Sequence, residues 1–347
     1  MRATGCGSTG WADGVRMADW YERLKQPPWL QKAIRTVLAV LPGLGWWAAT
    51  GNTQGVAFAF AALCLSATYG DAGMRIRHLA IMAILAAAAL PGMTWLERRP
   101  FPCVPATMAL LALNVLVRRR TAVPTRVSNW LLIYLLYQSS ELSGAGVGAS
   151  LVPALLTLPA ALWTWLVCFV LWPHRGTAPP SATAGPPPPA MGTARHALCA
   201  ALAGGAATAA AFLLHSTHIN WAVWSAMTVT QAGTRESLVK SGQRIAGAAI
   251  GCAAGYAALI GLAGLPMLRD TITAALVTVM VAPETYILAV AIRSALAILG
   301  GAALGADGAA AGLARIGNIA LGVGVATAFL LAFAPRRWWR RTPTPPS

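Results

Sequence analysis

Charge is what this sequence has least of, and acid least of all. Asp and Glu number 10 in 347 residues, against 26 Lys and Arg, and all charged residues together make up 10% of the chain. A soluble domain carries about 25%, so something other than water must cover much of the surface. The shortage of acid leaves a net charge of +16, which in a soluble chain would point to nucleic acid. No long basic stripe and no aromatic-plus-basic RNA motif accompanies it, so no nucleic-acid partner is expected. The positive residues sit in loops between apolar segments, where they orient a membrane protein and meet anionic lipid. Cysteine is equally uninformative as a framework: Cys6, Cys64, Cys103, Cys168, Cys199 and Cys252 include no CxxC. Five of them lie in or beside apolar segments and read as small buried side chains. No cleavable signal peptide is expected, because the first residues are polar and Gly-rich. Translation from Met1 and from Met17 both stay open. A nucleophile elbow, an HExxH pair and an EF-hand loop are all missing, and Lys240-Ser241 lacks the glycine that a Walker A loop needs. Neither an enzyme nor a cofactor is expected. His215 and His218, spaced by three, have no clear third ligand nearby, so no metal site is expected either.

What the chain does have is apolar length. Hydrophobic residues make up 57% of it, in run after run approaching the roughly 20 residues that cross a bilayer. Candidate spans fall at 33–50, 54–69, 78–96, 102–117, 127–143 and 151–172, then 196–214, 219–231, 245–264, 270–283, 286–304 and 315–334. Those at 54–69, 219–231 and 270–283 are short, and either tilted or partly re-entrant. The fold class expected is therefore all-α, a polytopic transmembrane helical bundle of about twelve helices arranged as two six-helix repeats. The divisions are an N-terminal cytoplasmic or interfacial segment 1–32, a first repeat 33–172, a Pro-rich cytoplasmic linker 173–195, a second repeat 196–334 and a basic tail 335–347.

Loop charge gives the orientation. With residues at span edges counted in the adjoining loop, 21 Lys and Arg lie on the side of the N-terminus and four on the other, while Arg293 lies within a span. The positive-inside rule then places both termini in the cytoplasm of a bacterial inner-membrane protein. Thr68-Tyr-Gly-Asp71-Ala72-Gly73-Met-Arg75 aligns with Thr228-Val-Thr-Gln231-Ala232-Gly233-Thr-Arg235. Both copies close the second span of a set and open a basic loop. That shared orientation implies a parallel repeat about an axis along the membrane normal.

The segment Asn220–Gly255 is the richest in chemistry. Trp221, Trp224, Thr228 and Thr230 belong to a Trp-rich span, and Arg235, Lys240 and Arg244 follow. With Arg75 and Arg77 of the first repeat, these cations make a basic cytoplasmic mouth that suits an anionic ligand, or that merely sets topology and binds lipid phosphate. Gly247, Gly251 and Gly255, four apart, give a smooth face for close helix packing. Arg293 sits mid-span, where insertion costs about 2.5–3.5 kcal/mol, so it needs a partner or a wet cavity. Either it binds a substrate carboxylate bidentately, or it forms a structural ion pair, with Glu141 of the fifth span as a cross-half partner. Glu141, with Gln138, Ser139 and Ser140, either lines a pathway or marks a helix end. Asn114 reads as an interhelical hydrogen bonder.

At Trp221, Trp224, Thr228, Arg235, Lys240, Arg244, Gly247 and Gly251 the sequence resembles the fusaric acid resistance protein-like (FUSC) superfamily, which includes aromatic acid exporters. Ala248 stands where that pattern has Thr. A second element of the pattern, Arg-x-x-Asp-Thr-x-x-Gly, resembles Arg315-Ile-Gly-Asn318-Ile-Ala-Leu-Gly322, with Asn for Asp and Ile for Thr. The likeness is good over about 196–334 and faint over 33–172. It implies a membrane-only member that exports aromatic or other small organic acids, often beside a periplasmic adaptor and an outer-membrane channel. A passive anion channel and a non-transporting subunit of an envelope assembly are the alternatives. A homo-oligomer is one of the open assembly states.

Overall fold

The structure is a computed structural model, and it describes residues 28–68, 76–97, 99–120, 125–142, 145–171, 192–216, 218–230, 234–280, 285–303 and 307–334. The expectations for the N-terminal segment, the Pro-rich linker, the basic tail and Arg75 lie outside those residues.

Among the described residues there are twelve α-helices and no strand. The first six are α1 (Pro28–Thr50), α2 (Thr53–Thr68), α3 (Ile76–Glu97), α4 (Pro100–Arg120), α5 (Thr125–Leu142) and α6 (Val147–Trp165), the last continuing as a π-helical segment, Leu166–Leu171. The second six are α7 (Thr193–Leu213), α8 (Ile219–Thr230), α9 (Thr234–Gly261), α10 (Pro266–Val279), α11 (Tyr286–Ala303) and α12 (Gly308–Phe333). Seven stretches within these helices are long and apolar enough to cross a membrane. Prolines lie inside α1, α3, α4 and α6, as packed membrane helices tolerate. Asp307 starts α12 by accepting hydrogen bonds from the backbone N–H groups of Ala309 and Ala310 at 2.9 and 3.2 Å.

The distribution of side chains is the reverse of a soluble protein's. Leu162, Leu213, Ile260 and Leu313 are more than half exposed, while Arg35, Arg244, Arg315, His196 and many Ser and Thr side chains are buried. An apolar exterior around a polar interior is what lipid selects: outward groups need no hydrogen bonds and inward ones find them within the protein. The buried hydroxyls mostly donate to a carbonyl three or four residues back, as Thr94, Thr208 and Ser225 do. This is a multi-pass membrane protein.

The helix pairings of the first six recur in the second six. The third helix of each set packs on the fifth and sixth, and the second packs on the first and sixth. Between the sets, α4 lies along α7 and α10 lies along α1, two contacts that exchange under a two-fold operation. The α4–α7 seam is extensive and the α1–α10 seam sparse. In the former, Gly204 and Gly205 receive Leu111 and Met108. The short helices α2 and α8 are buried over most of their length. At 12 residues, α8 is about 18 Å long, too short to span the bilayer. It is enclosed by α7, α9, α12 and α5.

One boundary differs from expectation in a way that matters. The stretch from Thr234 to Arg244 is not a basic loop ahead of a span at 245: it is the first three turns of α9, a helix of 28 residues. Gly247, Gly251 and Gly255 then face α11 in constant register, against Ile287 and Val290, Ala291, and Ala295 respectively.

Candidate functional site

Three interior cations, Arg244, Arg293 and Arg315, converge on α8. Arg244 of α9 is 2% exposed. Its Nε donates to Ser225 Oγ at 3.0 Å and its Nη1 to Tyr286 Oη at 2.8 Å and Thr228 Oγ1 at 3.5 Å. Its guanidinium carbon lies 4.8 Å from the Trp224 ring centroid. The sequence grouped Arg244 with the basic mouth beside Lys240. The structure buries it one turn deeper, because the helix begins at Thr234, ahead of the span expected from 245, and carries Arg244 into the bundle.

Arg293 of α11 approaches the same ring, 5.7 Å from the Trp224 centroid, and also lies 5.8 Å from Trp130 of α5. Its Nε has no hydrogen-bond partner. Tyr286, Arg244, Tyr137, Arg315 and Cys64 lie within its electrostatic reach. Tyr137 meets Trp224 edge-on at 5.4 Å, and its hydroxyl is buried without a partner. Arg293 and Trp224 thus sit between the two halves, with α5 on one side and α8, α9 and α11 on the other. Glu141 is not the partner of Arg293: the two form no ion pair, and Glu141 stands near the Glu97 carboxyl, which Ser139 hydrogen-bonds. Among the described residues the ion pair recorded is between neighbours, Arg269 and Asp270. It leaves Arg244, Arg293 and Arg315 without a carboxylate among those residues.

The third cation, Arg315 of α12, is 3% exposed. It donates from Nε to Ser294 Oγ at 3.0 Å and lies 4.9 Å from the Trp221 centroid. The Trp221 Nε1–H is buried with no acceptor. His218, just before α8, stacks on Trp221 with ring centroids 4.1 Å apart. Asn318, one turn beyond Arg315, accepts from Ser216 at 2.8 Å. A further turn along, Gly322 lets α12 touch the backbone of Ala222 and the side chain of Ser225.

The remaining sequence candidates divide. Thr228 and Thr230 cap their hydroxyls on carbonyls of α8, at Trp224 and at Ala226 and Met227. Arg77 is exposed and Lys240 half-buried; the side chain of Arg235 lies outside the described residues. Asn114 donates to Asn129 of α5 at 3.2 Å. Sequence reasoning missed Ser225, Tyr286, Ser294, Tyr137 and Trp130. Only their helical spacing could have signalled them: Ser225 is one turn past Trp221, and Ser294 adjoins Arg293.

Chemically, this is an acid-poor, cation-rich interior. Each cation–aromatic contact contributes about 0.5–2 kcal/mol, and each charge-assisted hydrogen bond about 1.5–3 kcal/mol. Neither removes net charge, and an uncompensated buried charge costs several kcal/mol. Planar guanidinium groups beside indole faces present donors for a carboxylate and flat walls for a ring.

Residues 206–329 match the model of a family described as fusaric acid resistance protein-like. No curated protein and no solved structure matches the chain. The matched region, about a third of the chain, contains α8 to α11 whole, with Trp221, Trp224, Arg244, Arg293 and Arg315. Through that region, from within α7 to within α12, the chain is similar to the fusaric acid resistance protein-like family.

Proposed function

We propose that the protein exports small organic anions, aromatic carboxylates foremost, across a bacterial inner membrane, with both termini in the cytoplasm. One observation carries this reading: Arg244 and Arg293 flank the Trp224 ring at the meeting of the two halves, with no carboxylate to neutralise them among the described residues. An aromatic acid supplies what that arrangement lacks, a negative charge for the guanidinium groups and a flat ring for the indoles. Lipid, the organic anion, a periplasmic adaptor and an outer-membrane channel are the partners that fit this role.

The test is flux of labelled benzoate from liposomes containing the purified chain. Arg293→Ala is expected to lower the rate at least tenfold, in line with the loss of a charge-assisted contact. Undiminished flux in that variant would remove Arg293 from the mechanism. A second reading, a passive anion channel, draws on Asn318: the residue at that motif position is an amide holding Ser216, not a carboxylate able to carry a proton. Flux that responds to an imposed pH gradient favours the exporter. Ohmic anion current without such a response favours the channel.

A further inference from the structure

We infer that the pathway holds a second, separate anion station, built by Arg315, Trp221 and Ser294 and taking a carboxylate. It rests on the reading of the first station at Arg293 and Trp224.

Arg315 has its own ring and its own hydrogen-bond partner, and it stands on a helix of its own, α12. Its guanidinium lies against Trp221, not Trp224, and it is held by Ser294 of α11 through Nε alone. Trp221 is 6% exposed, and its Nε1–H, on the ring that Arg315 covers, lacks an acceptor. A buried donor left unpaired costs about 1–3 kcal/mol, and next to an uncompensated guanidinium the group that satisfies both is an anion with two acceptor oxygens. His218 stacks on the same indole, with ring centroids 4.1 Å apart. Asn318 is already committed to Ser216, so it does not compete for the guanidinium.

Trp221 and Trp224 are three residues apart, which puts their Cα atoms about 4.5 Å apart along α8 and on neighbouring faces. Arg293 lies within electrostatic reach of Arg315 as well as Arg244. An anion leaving Trp224 therefore finds the next cation and the next indole one turn along the same helix. Two stations of this kind keep each binding step weak enough to reverse, the condition for rapid passage through a pore.

Scintillation-proximity binding of labelled benzoate to the full-length protein in nanodiscs tests this. Benzyl alcohol, the same ring without the carboxylate, serves as competitor. Two benzoates per chain are expected in the wild type, neither displaced by benzyl alcohol. Arg315→Gln should leave one. Trp221→Phe, which keeps a ring and removes only the N–H, should weaken one of the two about tenfold or more, and it keeps the test decisive should the arginine variant fail to fold. Arg293→Gln should remove the other site while the Trp221-dependent one persists. One benzoate per wild-type chain, or two in Arg315→Gln with unchanged affinity in Trp221→Phe, overturns the second station alone. No benzoate bound by the wild type overturns both stations and the transport reading with them.

Discussion

An arginine does not shed its proton under burial as readily as a lysine does, so Arg244, Arg293 and Arg315 fix positive charge inside a lipid-facing bundle. Their neighbours respond. Burial and the Arg315 guanidinium hold the imidazole of His218 below its ordinary 6.5. The folded chain therefore binds fewer protons at this site than the unfolded chain. The stability this contributes is present above pH 6.5 and is lost as the pH falls through the lowered value, because protonation would set a second cation beside Arg315. The melting temperature in detergent is expected to fall as the pH drops below about 6.5, and His218→Gln is expected to flatten that fall. An identical acid limb in the variant would show that His218 stays solvated. At this scale the sequence was only partly legible. Arg293 announced itself as a charge inside an apolar run, and Asn114 as an interhelical donor. Ser225, Ser294 and Tyr286 did not, since a lone hydroxyl in a membrane helix most often bonds its own backbone, and only the fold reveals which ones also meet a guanidinium.

Helix by helix, the apolar run lengths and the turn residues between them fixed most of the boundaries to within a few residues. The clearest departure, α9, has a physical cause. Its first turns carry Arg235, Glu236, Lys240 and Arg244, so hydropathy ends where the helix does not: polar residues continue a helix as well as apolar ones, and the start of lipid is not the start of hydrogen bonding. The glycine spacing, by contrast, reports backbone approach directly. A side chain at Gly251 would strike the backbone of Ala291. Gly251→Leu is expected to destabilise by about 1–3 kcal/mol or more, while Ala249→Val, at an exposed position on the same helix, should change stability by less than about 0.5 kcal/mol. Thermal denaturation of the two variants in one detergent separates them, and equal melting temperatures would mean that α9 and α11 do not meet along this face.

For the whole molecule, loop charge is what assigns sidedness. With the positive-inside bias, a reporter active only in the periplasm should be silent when fused after Arg120 and active when fused after Leu142. The opposite pattern would invert the orientation and, with it, the direction assigned to transport. The eight-residue alignment of Thr68–Arg75 with Thr228–Arg235 was the only trace of the repeat in the sequence. The recurrence of helix pairings is plainer in three dimensions because packing partners persist after side chains have diverged.

The two seams between the halves are unequal, and that sets where such a molecule can part. Prising α1 from α10 breaks little packing, whereas prising α4 from α7 tears Leu111 and Met108 from the glycines that seat them. The molecule is bound like a book, with α4 and α7 as its spine, and the pages that separate at least free energy are those on the far edge.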